Sequence, residues 1–234
     1  MNKQLIKLSL LSGLVLSSNI AQASQPSDAF TGPYLGAGLG YMHDETTFNA
    51  QAYDTDGVPQ DEPANNNLSR ESRYNAFSGS VSGGYGHTFS HGIYTAAELK
   101  FSYYNNYDPK NSSGGKIIYK YGYNATLKLG KVINDDFLVY LKGGYINTKM
   151  DYENPKDDYA LAKKDSSMRG GYEFGFGFGY KMTDCLVLGL EASRSVYEKY
   201  TFTQGGNPDE RNIEVRKTHK PRLEQVELKL TYQF

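Results

Sequence analysis

The sequence predicts an all-β chain, an eight-stranded antiparallel up-and-down transmembrane β-barrel with short turns at one end and four long loops at the other. Three observations predict it. Eight segments alternate apolar and polar residues with a period of two. The connections between them alternate short and long, and the charges sit on the polar face of the segments, leaving the apolar face clean. Composition agrees: Tyr 21, Phe 11 and Gly 25, with no Trp. The mean hydropathy is −0.61, and beyond the N-terminal segment no apolar run approaches the roughly 18–20 residues of a spanning helix.

The N-terminus carries Lys3 and Lys7, an apolar run from Leu8 to Leu16, and Ala21-Gln22-Ala23 before Ser24. A basic start, an apolar stretch and an Ala-x-Ala site describe a secretory signal peptide. Residues 1–23 are expected to be removed, leaving 24–234 as one barrel domain. No Cys stands at the cleavage site, which argues against a lipid anchor. Lys+Arg 25 against Asp+Glu 26 gives a net charge of −1, so no nucleic-acid partner is indicated. The single Cys185 excludes an intrachain disulfide framework.

The first strand, Tyr34–Tyr41, sets Leu35, Ala37, Leu39 and Tyr41 against Gly36, Gly38 and Gly40. The second, Phe77–Tyr85, opposes Phe77, Val81 and Tyr85 to Ser78, Ser80 and Ser82. In the third, Ile93–Tyr103, Ala97, Leu99, Phe101 and Tyr103 face away from Glu98 and Lys100; in the fourth, Tyr119, Tyr121, Tyr123, Leu127 and Leu129 oppose Lys120, Asn124 and Lys128. The fifth, Phe137–Ile146, turns Val139, Leu141 and Tyr145 away from Lys142, and the sixth, Tyr172–Lys181, alternates Phe and Gly around Glu173. The seventh, Leu186–Val196, sets Leu188, Leu190 and Ala192 against Glu191; the eighth, Val226–Phe234, sets its apolar residues against Glu227 and Lys229. Short turns fall at 89–92, 134–136 and 183–184, and long polar connections at 42–73, 104–116, 147–169 and 198–221.

The polar face carries Glu98, Lys100, Lys120, Lys128, Lys142, Glu173, Glu191, Glu227 and Lys229; the apolar face has charges only near strand ends, at Arg194, Arg222 and Glu224. A Lys or Arg at mid-depth in hydrocarbon costs roughly 2–4 kcal/mol, so the clean face is read as the lipid face. Tyr41, Phe77, Tyr103, Tyr119 and Tyr172 fall at the long-loop ends and Tyr85, Tyr180, Tyr232 and Phe234 at the short-turn ends, two belts at headgroup level. The interior charges are expected to pair as a structural core, because buried charges persist only when paired. The interior glycines are expected to make room for Lys and Tyr from other strands.

The opening "GPYLGAGLGY", the paired Gly-aromatic strands and the terminal "LKLTYQF" resemble the small eight-stranded bacterial outer-membrane barrels of the opacity-protein and surface-antigen kind, related in plan to the membrane domain of outer-membrane protein A. The resemblance implies short periplasmic turns, extracellular loops and residence in the bacterial outer membrane. It also implies that Tyr232 and Phe234 form a signal read by the barrel-assembly machinery, besides anchoring in lipid.

No catalytic or metal chemistry is recognisable. Gly36–Gly40 lacks the Lys and following helix of a phosphate loop, and Asp54-Thr-Asp56-Gly57 lacks the remaining ligands of a calcium loop. His43, His87, His91 and His219 have no metal spacing. No cofactor and no enzymatic activity are expected. The basic cluster Arg216, Lys217, Lys220 and Arg222 has two readings: contact with lipopolysaccharide phosphates at the outer rim, or binding of an acidic host-surface ligand. The expected function is envelope stabilisation and loop display, as an adhesin or surface antigen. The alternative is a small porin passing small solutes or ions.

Overall fold

The computed structural model describes residues 30–54, 70–106, 116–154, 163–205 and 213–234; the expected signal peptide lies outside them. The strands are β1 (Gly32–Asp54), β2 (Arg70–Thr88), β3 (Ile93–Asn106), β4 (Lys116–Ile133), β5 (Phe137–Asn154), β6 (Lys163–Lys181), β7 (Leu186–Tyr197), β8 (Tyr200–Gly205), β9 (Ile213–Lys220) and β10 (Arg222–Gln233). Consecutive strands from β1 to β7 pair antiparallel, β7 pairs with β10, and β10 returns to β1. This is a closed ring of eight strands. The remaining hairpin, β8–β9, lies on the outer half of β1, with Ile213–Lys220 opposite Thr47–Asp54.

Register fixes the barrel's shape. Stepping from partner to partner, Tyr85 leads to Ala97, Leu127, Gly143, Phe174, Arg194, Glu224, His43 and back to β2 at Asn75, ten residues from the start. Eight strands staggered in this way tilt by roughly 35–45° and leave an interior that side chains fill. The short turns use residues that tolerate a left-handed backbone: Asn134 and Asp135 at φ 51° and 59°, and Gly92 at φ 75°.

Outside the ring stand Leu39, Phe101, Leu127, Leu141, Phe176 and Leu228, each about half exposed or more; inside stand the Lys and Glu residues. Closure pairs the backbone all round the ring, as hydrocarbon requires.

Four sequence expectations are corrected. The barrel strands outrun their apolar segments: β1 continues to Asp54 and β2 starts at Arg70, so much of the expected first loop is paired sheet. The 104–116 and 147–169 connections shrink too, because β3 reaches Asn106, β4 begins at Lys116, β5 reaches Asn154 and β6 begins at Lys163. The expected fourth loop is largely the β8–β9 hairpin. Beyond the membrane neither face meets lipid, so the apolar–polar contrast fades while backbone pairing continues. Lastly, a register shift between Tyr119 and Tyr121 inserts one residue into β4. The bulge turns Tyr119 inward and Lys120 outward, so Tyr119 leaves the outer aromatic belt and Lys120 leaves the interior.

Candidate functional site

The lumen is built in three layers. At the short-turn end Phe30, Tyr34, Tyr94, Leu138, Tyr140 and Val187 pack together; at the long-strand end Met42, Tyr104, Ile117, Tyr119, Met150, Tyr152, Tyr197 and Leu223 do the same. Between them lie eight charges, none more than 6% exposed. Glu191 accepts from Lys128 at 2.9 Å, Lys142 at 2.8 Å and Tyr140 at 2.6 Å. Glu98 accepts from Lys128 at 2.9 Å, Tyr34 at 3.0 Å and Lys229. Glu173 pairs with Lys142 and takes Asn124 Nδ2, both at 2.9 Å. Glu227 accepts from Lys100 at 3.0 Å and Ser80 at 2.5 Å.

Four carboxylates thus meet four ammonium groups. Lys120, half exposed, bonds instead to the buried Asp151 at 2.6 Å. The glycines supply the space: a Cβ on Gly38 would stand 2.2 Å from Glu227 Oε1, one on Gly36 2.8 Å from Lys229 Cε, and one on Gly177 2.5 Å from the Tyr140 ring.

Seven buried tyrosines, Tyr34, Tyr94, Tyr104, Tyr119, Tyr140, Tyr152 and Tyr197, are among the interior residues that sequence reasoning did not place by number. The signal was strand parity: Tyr94 and Tyr104 share the parity of Glu98 and Lys100, Tyr140 and Tyr152 that of Lys142, and Tyr197 that of Glu191. Tyr119 has no such signal, since the bulge intervenes.

At the outer end the hairpin touches β5 and β6. His219 of β9 is buried, with Tyr152 of β5 at 4.6 Å and Tyr200 of β8 at 6.3 Å between ring centroids. The Tyr200 hydroxyl bonds to Asp165 of β6, and the Arg169 guanidinium stacks 3.6 Å over its ring. Burial and the Asp165 bond push this phenol up to about 12. Deeper, Tyr119 donates to Asp44 at 2.5 Å.

The remaining candidates are dispersed. His43 meets Asn75 at 2.7 Å, His87 packs on Phe89 at 4.4 Å, and His91 sits in a turn. Among the described residues no group of three or more His, Cys, Asp or Glu is placed to hold a metal. Arg216, Lys217 and Lys220 lie on β9 and Arg222 opens β10, which corrects their expected place in an irregular loop; the side chains of Arg216 and Lys217 lie outside the described residues. Tyr232 and Phe234 are exposed, their rings 4.9 Å apart.

A family model for the outer membrane protein beta-barrel domain matches residues 9–220. The chain belongs to this family. An outer-membrane barrel resides in the bacterial outer membrane, which assigns the aliphatic belt to lipid and the long-strand end to the cell exterior. No curated protein sequence matches the chain. In structure this outer-membrane barrel is similar to the outer membrane protein OprG from Pseudomonas aeruginosa, with 12% identity over 88% of this chain and 97% of that one and a TM-score of 0.52. Neisserial surface protein A gives 14%, 87%, 98% and 0.46, and the outer membrane protease OmpT from Escherichia coli 9%, 91%, 99% and 0.49. The likeness to OprG, at 12% identity, shows the fold alone.

Proposed function

We propose that this barrel is a non-enzymatic surface protein that stabilises the outer membrane and holds paired outer hairpins for recognition, as an adhesin or surface antigen. One observation carries the reading: the lumen is filled by aromatic layers at both ends and a neutral charge layer between, while β1, β2, β5 and β6 run on past the outer belt. A rigid wall with a filled interior offers function at its exposed end. Tyr232 and Phe234 are proposed as the signal for the assembly machinery.

Adherence to host cells or matrix tests the recognition reading. Shortening the 55–69 connection, or neutralising Arg216, Lys217, Lys220 and Arg222 together, leaves the heat-shifted folded band intact and lowers adherence of expressing cells. Loss through the basic cluster that added salt reproduces marks an electrostatic contact with an acidic ligand. Equal adherence by the wild type, both variants and cells lacking the protein would sink the proposal.

A further inference from the structure

The outward residues at the outer interface form an incomplete belt. Because the strands tilt, a contour of constant depth drifts by about one residue per strand from the hydrogen-bonded row. It passes Tyr41 on β1, Phe77 on β2, Tyr103 on β3, Tyr123 on β4, Tyr145 on β5 and Tyr172 on β6, all exposed. On β7 and β10 it meets Arg194 and the Val226–Glu224 stretch. Two adjacent strands therefore interrupt the aromatic ring.

Charge fills the gap. Arg194 is half exposed and reaches Glu224 only at 3.7 Å. Arg222, exposed, makes no ion pair among the described residues. Glu224 pairs with Arg194 and Arg222 with Val196, so the two arginines are diagonal neighbours, a separation that long side chains span. Just below them the same strands present Leu188, Leu190, Val226 and Leu228 to lipid. Two arginines on neighbouring strands above an apolar wall suit an amphiphile with an anionic head, because guanidinium forks match phosphate oxygens.

We propose that the β7–β10 gap binds the phosphorylated headgroup of an outer-leaflet lipid, with Arg194 and Arg222 as donors. Glu224 is a competitor for Arg194, and an exposed pair of that length holds it weakly. The site rests on membrane placement; it shares Arg222 with the basic cluster of the recognition reading, and Arg194 and Glu224 belong to it alone.

The test is lipid retention, read by native mass spectrometry of the refolded barrel in micelles doped with a diphosphorylated glycolipid or with the same glycolipid stripped of phosphate. The wild type retains the phosphorylated form preferentially. Arg194→Gln with Arg222→Gln lowers that retention by about tenfold or more, Glu224→Gln raises it, and Lys131→Gln at the opposite end leaves it unchanged; the heat-shifted band certifies folding of each. Equal retention of the two glycolipids, or an unaffected double variant, overturns the proposal. Displacement by inorganic phosphate alone also overturns it, in favour of a plain anion site.

Discussion

Glu191 and Glu227 differ in what their loss leaves behind. Lys128 and Lys142 each touch a second carboxylate, Glu98 and Glu173, whereas among the described residues Lys100 has only Glu227 within ion-pair distance. Breaking a buried pair costs about 3–5 kcal/mol, so Glu227→Gln should lower the urea midpoint of the refolded barrel by more than Glu191→Gln. Equal midpoints would mean that the layer is solvated. Glycine space gives a second contrast: Gly177→Val drives a side chain into the Tyr140 ring and costs about 1–3 kcal/mol, while at Gly79 a Cβ meets nothing within 4 Å and Gly79→Val is tolerated. Residue identities on regular strands were legible because parity with one buried charge locates every second neighbour. Lys120 and Tyr119 were not, since a bulge leaves no trace when Tyr stands on both sides of it.

Strand number was legible from the lipid, which demands a clean alternating face only across the membrane. Strand length was not, because the outer halves of β1, β5 and β6 are held by backbone pairing and by contacts such as Tyr119 to Asp44 that carry no apolar period. The β8–β9 hairpin shows the same limit: its place against β1 follows from register, with Pro221 separating β9 from β10. Closure does not depend on it, since Tyr34–Asp44 of β1 already pairs with Leu223–Gln233 of β10. Excising 201–218 should therefore leave a barrel that still runs faster unheated than boiled. A second element-scale expectation concerns β10, where replacing Tyr232 and Phe234 with Ser removes two exposed interfacial rings. Membrane insertion should fall with export intact, and normal membrane levels would show that the tail is no signal.

At the scale of the whole molecule the sequence indicated a charged interior but left it open between a sealed core and a pore, because both need the same alternation. The tyrosines favour the core: Tyr34, Tyr94 and Tyr140 pack in a buried cluster at one end of the lumen and Tyr104, Tyr119, Tyr152 and Tyr197 at the other. Eight charges, six in one connected ion-pair network and two in the Lys100–Glu227 pair, leave no ring of one sign to select an ion. The account thus rests on a filled lumen, with the outer surface as the working part. Single-channel recording of the purified, refolded protein in planar bilayers tests this most directly. A flat baseline at high salt and at either polarity is the predicted result; discrete, reproducible conductance steps carried by the wild type would contradict it.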